Sequence, residues 1–529
     1  MNQPFNTEFG KIRSFFWPVH SHERKRIVPM LLIAFLIAFN YNILRTVKDS
    51  LIVTAEGSGA ETIPFIKVWV LLPMAILMTY IFSHLAHRLN REQIFYFMIS
   101  LFLSFFFIFV FFLYPSHETL HPHSTADYLE TILPIGFKGL IAIFRNWTFT
   151  AYYVMAELWG NIILSLLFWG FANEVSNIKE AKRFYALIGI SLNCASIFSG
   201  QIALLFSIPA YNSALPFGQD PWEQSLILLI STVIICGFAI MGIFKWMTVN
   251  EIYKSTQTQQ GKKKLKLSMR KSFSSLRNSR YLLYIALIVL SYNLVINLVE
   301  VIWKGELKLL YPNPVDYNIH MSKVSTAMGI VATLLSLFIS GQSIRKFGWT
   351  FTASITPIIL LISSIAFFSF LFLKNYAYDI TYSMLGASPL LIVCLLGSAH
   401  NTFCRGAKYS VFDATKEMAF IPLSPESKLT GKAAIDGVGS RLGKSGGSLV
   451  HQCLLMVFTS LSSSAPYIAL LVFSAVAIWI FAIKILGKHF NSLLALEEEK
   501  ANAEDSSKEK SIKLSNGLLK TMNREKEVI

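Results

Sequence analysis

Charge is scarce in this sequence. Asp, Glu, Lys and Arg make up 15% of 529 residues, against about 25% in a soluble globular chain. Hydrophobic residues reach 53% and the mean hydropathy is +0.51, so the main solvent is lipid. Cysteine is scarce too. Cys194, Cys236, Cys394, Cys404 and Cys453 form no CxxC pair and fall in or beside apolar stretches. They read as small buried hydrophobes, which excludes a disulfide framework or a metal site. HExxH, paired Cys/His spacing and GxSxG are all missing, so no catalytic residue, metal or cofactor is assigned and the chain does not read as an enzyme. The first thirty residues lack an apolar h-region with a cleavage site, and are too short and too mixed in charge for a transit peptide. The net charge of +16 would suit a nucleic-acid binder, but the cations fall in every second loop and no basic domain is present, so nucleic acid is excluded as a partner.

What is present is a series of apolar runs. They predict spans near 29–47, 64–84, 93–114, 147–172, 184–207, 224–247, 281–303, 321–342, 349–373, 384–403, 440–462 and 466–487. Each is near the roughly 20 residues that cross the hydrocarbon core, and lipid requires a helix or a closed barrel. The fold class is therefore an all-α membrane protein of about twelve transmembrane helices. Cations gather at 24–26, 88–91, 179–183, 248–280 and 345–346, which predicts both termini on the cytoplasmic side. The basic loop 248–280 separates two six-helix halves, 29–247 and 281–490, in a major-facilitator-like arrangement of parallel repeats. Tyr41-Asn42 in the first span echoes Tyr292-Asn293 in the seventh. Residues 1–28 form a cytoplasmic segment. The charged stretch 491–529 reads as a solvated or disordered tail. His117, His121 and His123 cluster in a loop between spans and read as exposed rather than metal-binding.

The charges inside spans carry the functional signal. Such a residue costs about 2.5–3.5 kcal/mol on insertion scales and usually faces a cavity or a partner. Arg45, Lys48 and Asp49 end the first span. Snorkelling at the interface would explain them, but they lie where cations are otherwise rare, which favours a cavity. Glu157 stands alone in the fourth span and needs a cation from another helix, or a proton. Glu300 ends the seventh span, where an i,i+4 pair with Lys304 competes with a cavity role. The stretch 432–449 holds Lys432, Asp436, Arg441 and Lys444 beside Gly446 and Gly447. Gly443-Lys444-Ser445 imitates a P-loop, yet Val438 stands where that motif needs Gly. An ATPase is rejected, and the glycines read as helix-packing positions. Asp413, Lys416 and Glu417 fall in the preceding loop and read as solvated or paired.

Together, FNYNILRTVKDSLIV, GSGAETIPFIKVW, YYVMAELWG, AKRFYALIGI, INLVEVIWK, YSVFDATKEMAFIPL and GKAAIDGVGSRLGKSGGS resemble the ATP/ADP translocases, the nucleotide transporters of plastids and obligate intracellular bacteria, most nearly the chlamydial type. The resemblance implies exchange of ATP for ADP, with phosphate, across a bacterial inner membrane, importing ATP. It also admits a proton-coupled importer of ribonucleotides and an NAD/ADP exchanger. It carries transport roles onto Lys48, Glu157, Glu300 and Lys444. Arg45 and Arg441 would assist in holding the polyphosphate, while Asp49, Asp436 and Lys432 would gate or couple. Tyr41, Tyr153 and Trp303 compete to stack on the base. The expected partners are ATP, ADP, other nucleoside triphosphates or NAD, and the lipid bilayer. The expected unit is a monomer.

Overall fold

The computed structural model describes residues 17–526, except 177, 251–278, 377–380, 384–385, 433, 436–439 and 459. Among the described residues every regular element is a helix. Eleven are long and apolar enough to cross a bilayer. The first six are α1 (Ser21–Thr54), α2 (Thr62–Arg88), α3 (Arg91–Leu113), α4 (Trp147–Asn173), α5 (Arg183–Phe206) and α6 (Pro221–Val249). After them come α7 (Arg280–Leu310), α8 (Pro314–Phe338), α9 (Lys346–Leu373) and α10 (Pro389–Ala419). The expected span at 440–462 forms a helix, α11 (Ser440–Phe458), but it is not among the eleven. Arg441, Lys444 and its glycines and serines leave it too polar, and it is held by packing on α7 and α2. The last span, α12 (Leu461–Leu493), runs on as one helix to Lys526. A disordered tail was expected there, but Glu, Lys and Ala are all strong helix formers. Most of the basic loop 248–280 lies outside the described residues.

Several spans start on the same local chemistry. Asp220, Asn313 and Ser388 each precede a proline and cap the helix that follows. Asp220 accepts from the backbone N–H groups of Trp222 and Glu223 at 2.7 and 2.9 Å. The side-chain oxygen satisfies an orphan donor, and the proline needs none.

α1 packs with α4, α5 and α6, and α7 packs with α10, α11 and α12. These two are the most enclosed spans of their halves. The halves meet along α5–α8, α1–α8 and α2–α11. Small residues permit this approach. A Cβ on Gly329 of α8 would lie 2.8 Å from the Asn193 carbonyl oxygen of α5, and Ser196 donates across the same seam to the Ser325 carbonyl at 2.9 Å. The far end of the bundle, opposite the termini, carries the turns after α1, α7 and α11.

The far end is also capped. Short helices His117–Leu120, His123–Ile132 and Lys138–Arg145 fill the connection before α4. Buried Arg145 ties the last two together through Asp127 at 2.7 Å and Glu130 at 2.9 Å. His121 is buried, not exposed as expected, with Nε2 2.6 Å from the Thr148 hydroxyl. Burial first, then the neighbouring His117 and His123, push it down to about 4 from its usual 6.5.

Two predictions follow from this packing. A Cβ on Gly443 would lie 2.8 Å from Asn293 Cβ of α7, and one on Gly447 3.2 Å from Asn297 Cβ, whereas one on Gly446 meets nothing within 4 Å. Gly443→Val should therefore cost about 1–3 kcal/mol by overpacking, and Gly446→Ala should stay within about 0.5 kcal/mol. Melting midpoints in detergent will separate them. His121 is neutral in the fold, so its contribution is complete above pH 6.5. As pH falls from 6.5 towards 4 the unfolded chain takes up the proton first and stability is lost. His121→Gln should flatten the melting midpoint across that window relative to the wild type.

Candidate functional site

α1 continues past the expected end of its span, so Lys48 and Asp49 are enclosed and not at an interface. Lys48 is 2% exposed and Asp49 0%. Adjacent residues on a helix point to different sides. Lys48 accordingly turns to α4, where Nζ lies 2.9 Å from Glu157 Oε1 and 3.8 Å from the centre of the Tyr153 ring. Tyr153 and Glu157 are one helical turn apart and present one face. Lys48 also donates to Asp49 Oδ1 at 3.1 Å. The other oxygen, Oδ2, accepts from Lys304 of α7 at 2.7 Å.

The chain of charges continues through the second half. Lys304 bonds Glu300 Oε1 at 2.9 Å, the i,i+4 pair anticipated from the sequence. Glu300 Oε2 accepts from Arg405 Nη2 of α10 at 2.8 Å. Arg405 Nε in turn donates to Asn401 Oδ1 at 2.6 Å. Glu157, Lys48, Asp49, Lys304, Glu300 and Arg405 thus alternate in sign across four spans and both halves. Three carboxylates match three cations. A buried charge is tolerated on that condition, and removing one partner typically costs about 3–5 kcal/mol.

More cations surround the chain than it consumes. Among the described residues Arg45, Lys67 and Lys444 have no carboxylate partner. Lys67 and Lys444 act electrostatically on Glu157. Arg45, Lys444, Arg405 and Lys408 act on Tyr409. Lys408 is held by Asp413 at 3.0 Å. The region is therefore net positive, with a balanced ionic core and free cations beside it. Such an arrangement suits a polyanion.

Three of these elements leave regular α geometry at the site. Trp159–Phe168, just after Glu157, and Lys408–Phe412, just after Arg405, are π-helical. So is Ile66–Leu71, which carries Lys67. Wider turns of this kind are frequent at functional sites.

The predicted site residues fare unequally. Lys48, Asp49, Glu157 and Glu300 come together as ion pairs, and Arg45 and exposed Lys444 sit beside them. Lys432 does not join them; it pairs with Glu417. Asp436 and the Arg441 side chain lie outside the described residues. Of the aromatics, Trp303 is fully enclosed, packed on Gly397 with Nε1 donating to the Cys394 carbonyl at 3.2 Å. Tyr153 lies beneath Lys48. Tyr41 stays half-buried against Gly160, and Tyr409, not anticipated, is 42% exposed.

Arg405, Lys408 and Lys67 were missed. The first two were assigned to a loop after 403, but α10 continues through RGAKYSVFDATKEMA, where no proline follows until Pro422. Asp413, Lys416 and Glu417 are consequently helical, and each makes an ion pair. Lys67 stands alone in an apolar run, and the rule that flagged Glu157 applies to it equally.

The bonds between the halves cluster toward the far end. They include Asp49–Lys304, Ser207–Asn318 at 2.9 Å, Lys67–Asn297 at 2.7 Å, Trp69–Gln452 at 3.1 Å, and Lys308 to the Ser58 carbonyl. At the opposite end Arg183 pairs with Glu23 at 2.6 Å and Lys416 with Glu417 at 3.5 Å. A cavity of about 320 Å³ opens at the far end beside Glu61, Lys138, Glu306 and Lys308, away from the charge chain.

A family model described as TLC ATP/ADP transporter matches residues 2–490. The chain is 45% identical to ADP,ATP carrier protein 1 of Chlamydia pneumoniae, over 94% of this chain and 98% of that one. It is 40% identical to ADP,ATP carrier protein 2 of the same organism, over 92% and 93%. It is 43% identical to the chloroplastic ADP,ATP carrier protein 1 of Arabidopsis thaliana, over 90% and 75%. Among solved structures, a bacterial homologue of the iron transporter ferroportin in an inward-facing state matches with TM-score 0.51 at 13% identity, over 88% of this chain and 98% of that one. That likeness concerns the fold alone.

Removing the central carboxylate should be costly. Asp49→Asn leaves Lys48 and Lys304 facing a neutral amide in a buried place, and should destabilise by about 3–5 kcal/mol. Asp413→Asn, at a partly exposed pair, should cost about 0–1 kcal/mol. Unfolding midpoints of the two variants in detergent check the difference.

Proposed function

We propose that this chain, which belongs to the TLC ATP/ADP transporter family, exchanges ATP for ADP, with phosphate, across a bacterial inner membrane and imports ATP. The observation that carries the reading is the balanced charge chain spanning both halves, bordered by Arg45, Lys67 and Lys444 without carboxylate partners. A polyphosphate would lie against Lys48 and Lys444 between the halves, with Arg45 and Arg441 assisting. The base would stack on Tyr41 or Tyr409, the two tyrosines left accessible beside those cations. Asp49 would couple the site to the far end, since it bridges the two lysines.

Transport would proceed by alternating access. The cation-rich loops support termini on the cytoplasmic side, and the far end, where Asp49–Lys304 and Lys67–Asn297 join the halves, would then face outward. Phosphate oxygens compete with Glu157 for Lys48. Unneutralised cations are costly to carry through an occluded, low-dielectric state. The empty protein therefore reorients slowly, and a bound anion removes the penalty. This requires exchange rather than net uptake. The pairing of Glu157 with Lys48 supports exchange, because a phosphate oxygen can replace the carboxylate on Lys48 without a proton being moved.

Labelled ATP should enter proteoliposomes only when ADP is inside, and an uncoupler should leave the rate unchanged. Lys444→Ala should lower exchange about tenfold or more, as expected for loss of a charge-assisted phosphate contact. Wild-type exchange in a folded Lys444→Ala protein would overturn the assignment. Competition by other nucleoside triphosphates and by NAD defines the base preference in the same assay.

A further inference from the structure

The cations of the site differ in what holds them. Lys48, Lys304 and Arg405 are each bound to a carboxylate. Lys67 is not. Its ammonium donates to a neutral amide, Asn297 Oδ1, at 2.7 Å. Asn297 belongs to α7 and is buried, and its own Nδ2 donates to the Asn293 carbonyl at 2.9 Å. The Lys67–Asn297 bond therefore joins the first half to the second. Lys67 also lies within electrostatic reach of Glu300, Lys304, Glu157 and Lys48, so it faces the charge chain and not lipid.

The neighbouring bonds of α2 have the same neutral character. Trp69 Nε1 donates to Gln452 Oε1 of α11 at 3.1 Å, and Gln452 Nε2 donates to the Pro64 carbonyl at 2.9 Å. The α1–α7 contact is ionic, while the described polar bonds of α2 to α7 and α11 end on neutral acceptors. Taking Lys48 or Lys304 from its carboxylate exposes a buried negative charge. Taking Lys67 from Asn297 exposes only an amide oxygen.

We propose that Lys67 is a phosphate ligand whose capture releases α2 from α7. This rests on the polyanion reading above. An incoming phosphate oxygen replaces Asn297 on the Lys67 ammonium at small cost. The same event removes a bond that holds the far end closed. Loading and opening are thus linked through one side chain, and the α2 contact yields before the ionic α1–α7 contact.

Three variants test it, each first shown to fold by gel filtration and melting. Lys67→Gln keeps an amide donor to Asn297 but loses the charge. It should raise the half-saturating ATP concentration about tenfold or more, and reduce the melting shift produced by a fixed concentration of inorganic tripolyphosphate. Asn297→Asp turns the neutral bond into an ion pair, so it should both weaken ATP and slow maximal exchange. Asn297→Ala removes the competitor, and should leave the half-saturating concentration unchanged or lower. Wild-type half-saturation in Lys67→Gln or in Asn297→Asp would overturn the proposal while leaving nucleotide exchange intact. If the wild type neither exchanges ATP nor is stabilised by tripolyphosphate, the underlying reading fails instead.

Discussion

The structure turns on one buried carboxylate. Asp49 is fully enclosed and accepts from Lys48 through one oxygen and from Lys304 through the other. Lys48 shares a helix with it, whereas Lys304 comes from the opposite half. A carboxylate so placed is stable only while both lysines stay, and each lysine is stable only while its second carboxylate, Glu157 or Glu300, stays. The halves are therefore joined by electrostatic necessity at the point where the substrate would bind.

Stability alone does not account for such a core. Well-packed apolar residues of similar volume are often as stable as a buried ion network, or more so. What a network can do, and an apolar core cannot, is exchange partners with an incoming anion. Its composition suits that purpose. The six charges cancel, and the neighbouring Arg45, Lys67 and Lys444 leave a positive surplus. The spacing that relates Tyr41 to Tyr292 also relates Asp49 to Glu300, so the two carboxylates flanking Lys304 occupy equivalent places in α1 and α7. The other charges of the network, Lys48 against Val299 and Lys304 against Val53, do not repeat at that spacing.

Small residues set how closely the helices approach. Gly443 and Gly447 rest on Asn293 and Asn297, and Gly329 on the backbone of α5. The same asparagine stripe of α7 thus supports α11 on one side and receives Lys67 on the other. Asn297 thus serves both the packing of α11 and the proposed phosphate contact of Lys67.

Much of this was written in the sequence. Apolar runs of membrane length, alternating cationic loops and a basic connection near the middle determine the spans and the two halves, because lipid leaves the backbone no alternative. The cost of an intramembrane charge singled out Lys48, Asp49, Glu157 and Glu300, and the spacing of Glu300 and Lys304 announced their pair. Only the tertiary structure decided which charges meet. Arg405 looked like a loop residue until α10 proved to run on, Lys67 looked incidental until α2 met Asn297, and Trp303 proved enclosed while Tyr409 stayed open. Lys432, alike in type to Lys444, went to Glu417 instead. Burial cost depends on the residue and its depth, so a single sequence reveals it. Ion pairing depends on which helix faces which across hundreds of residues, and that is settled only when the bundle closes.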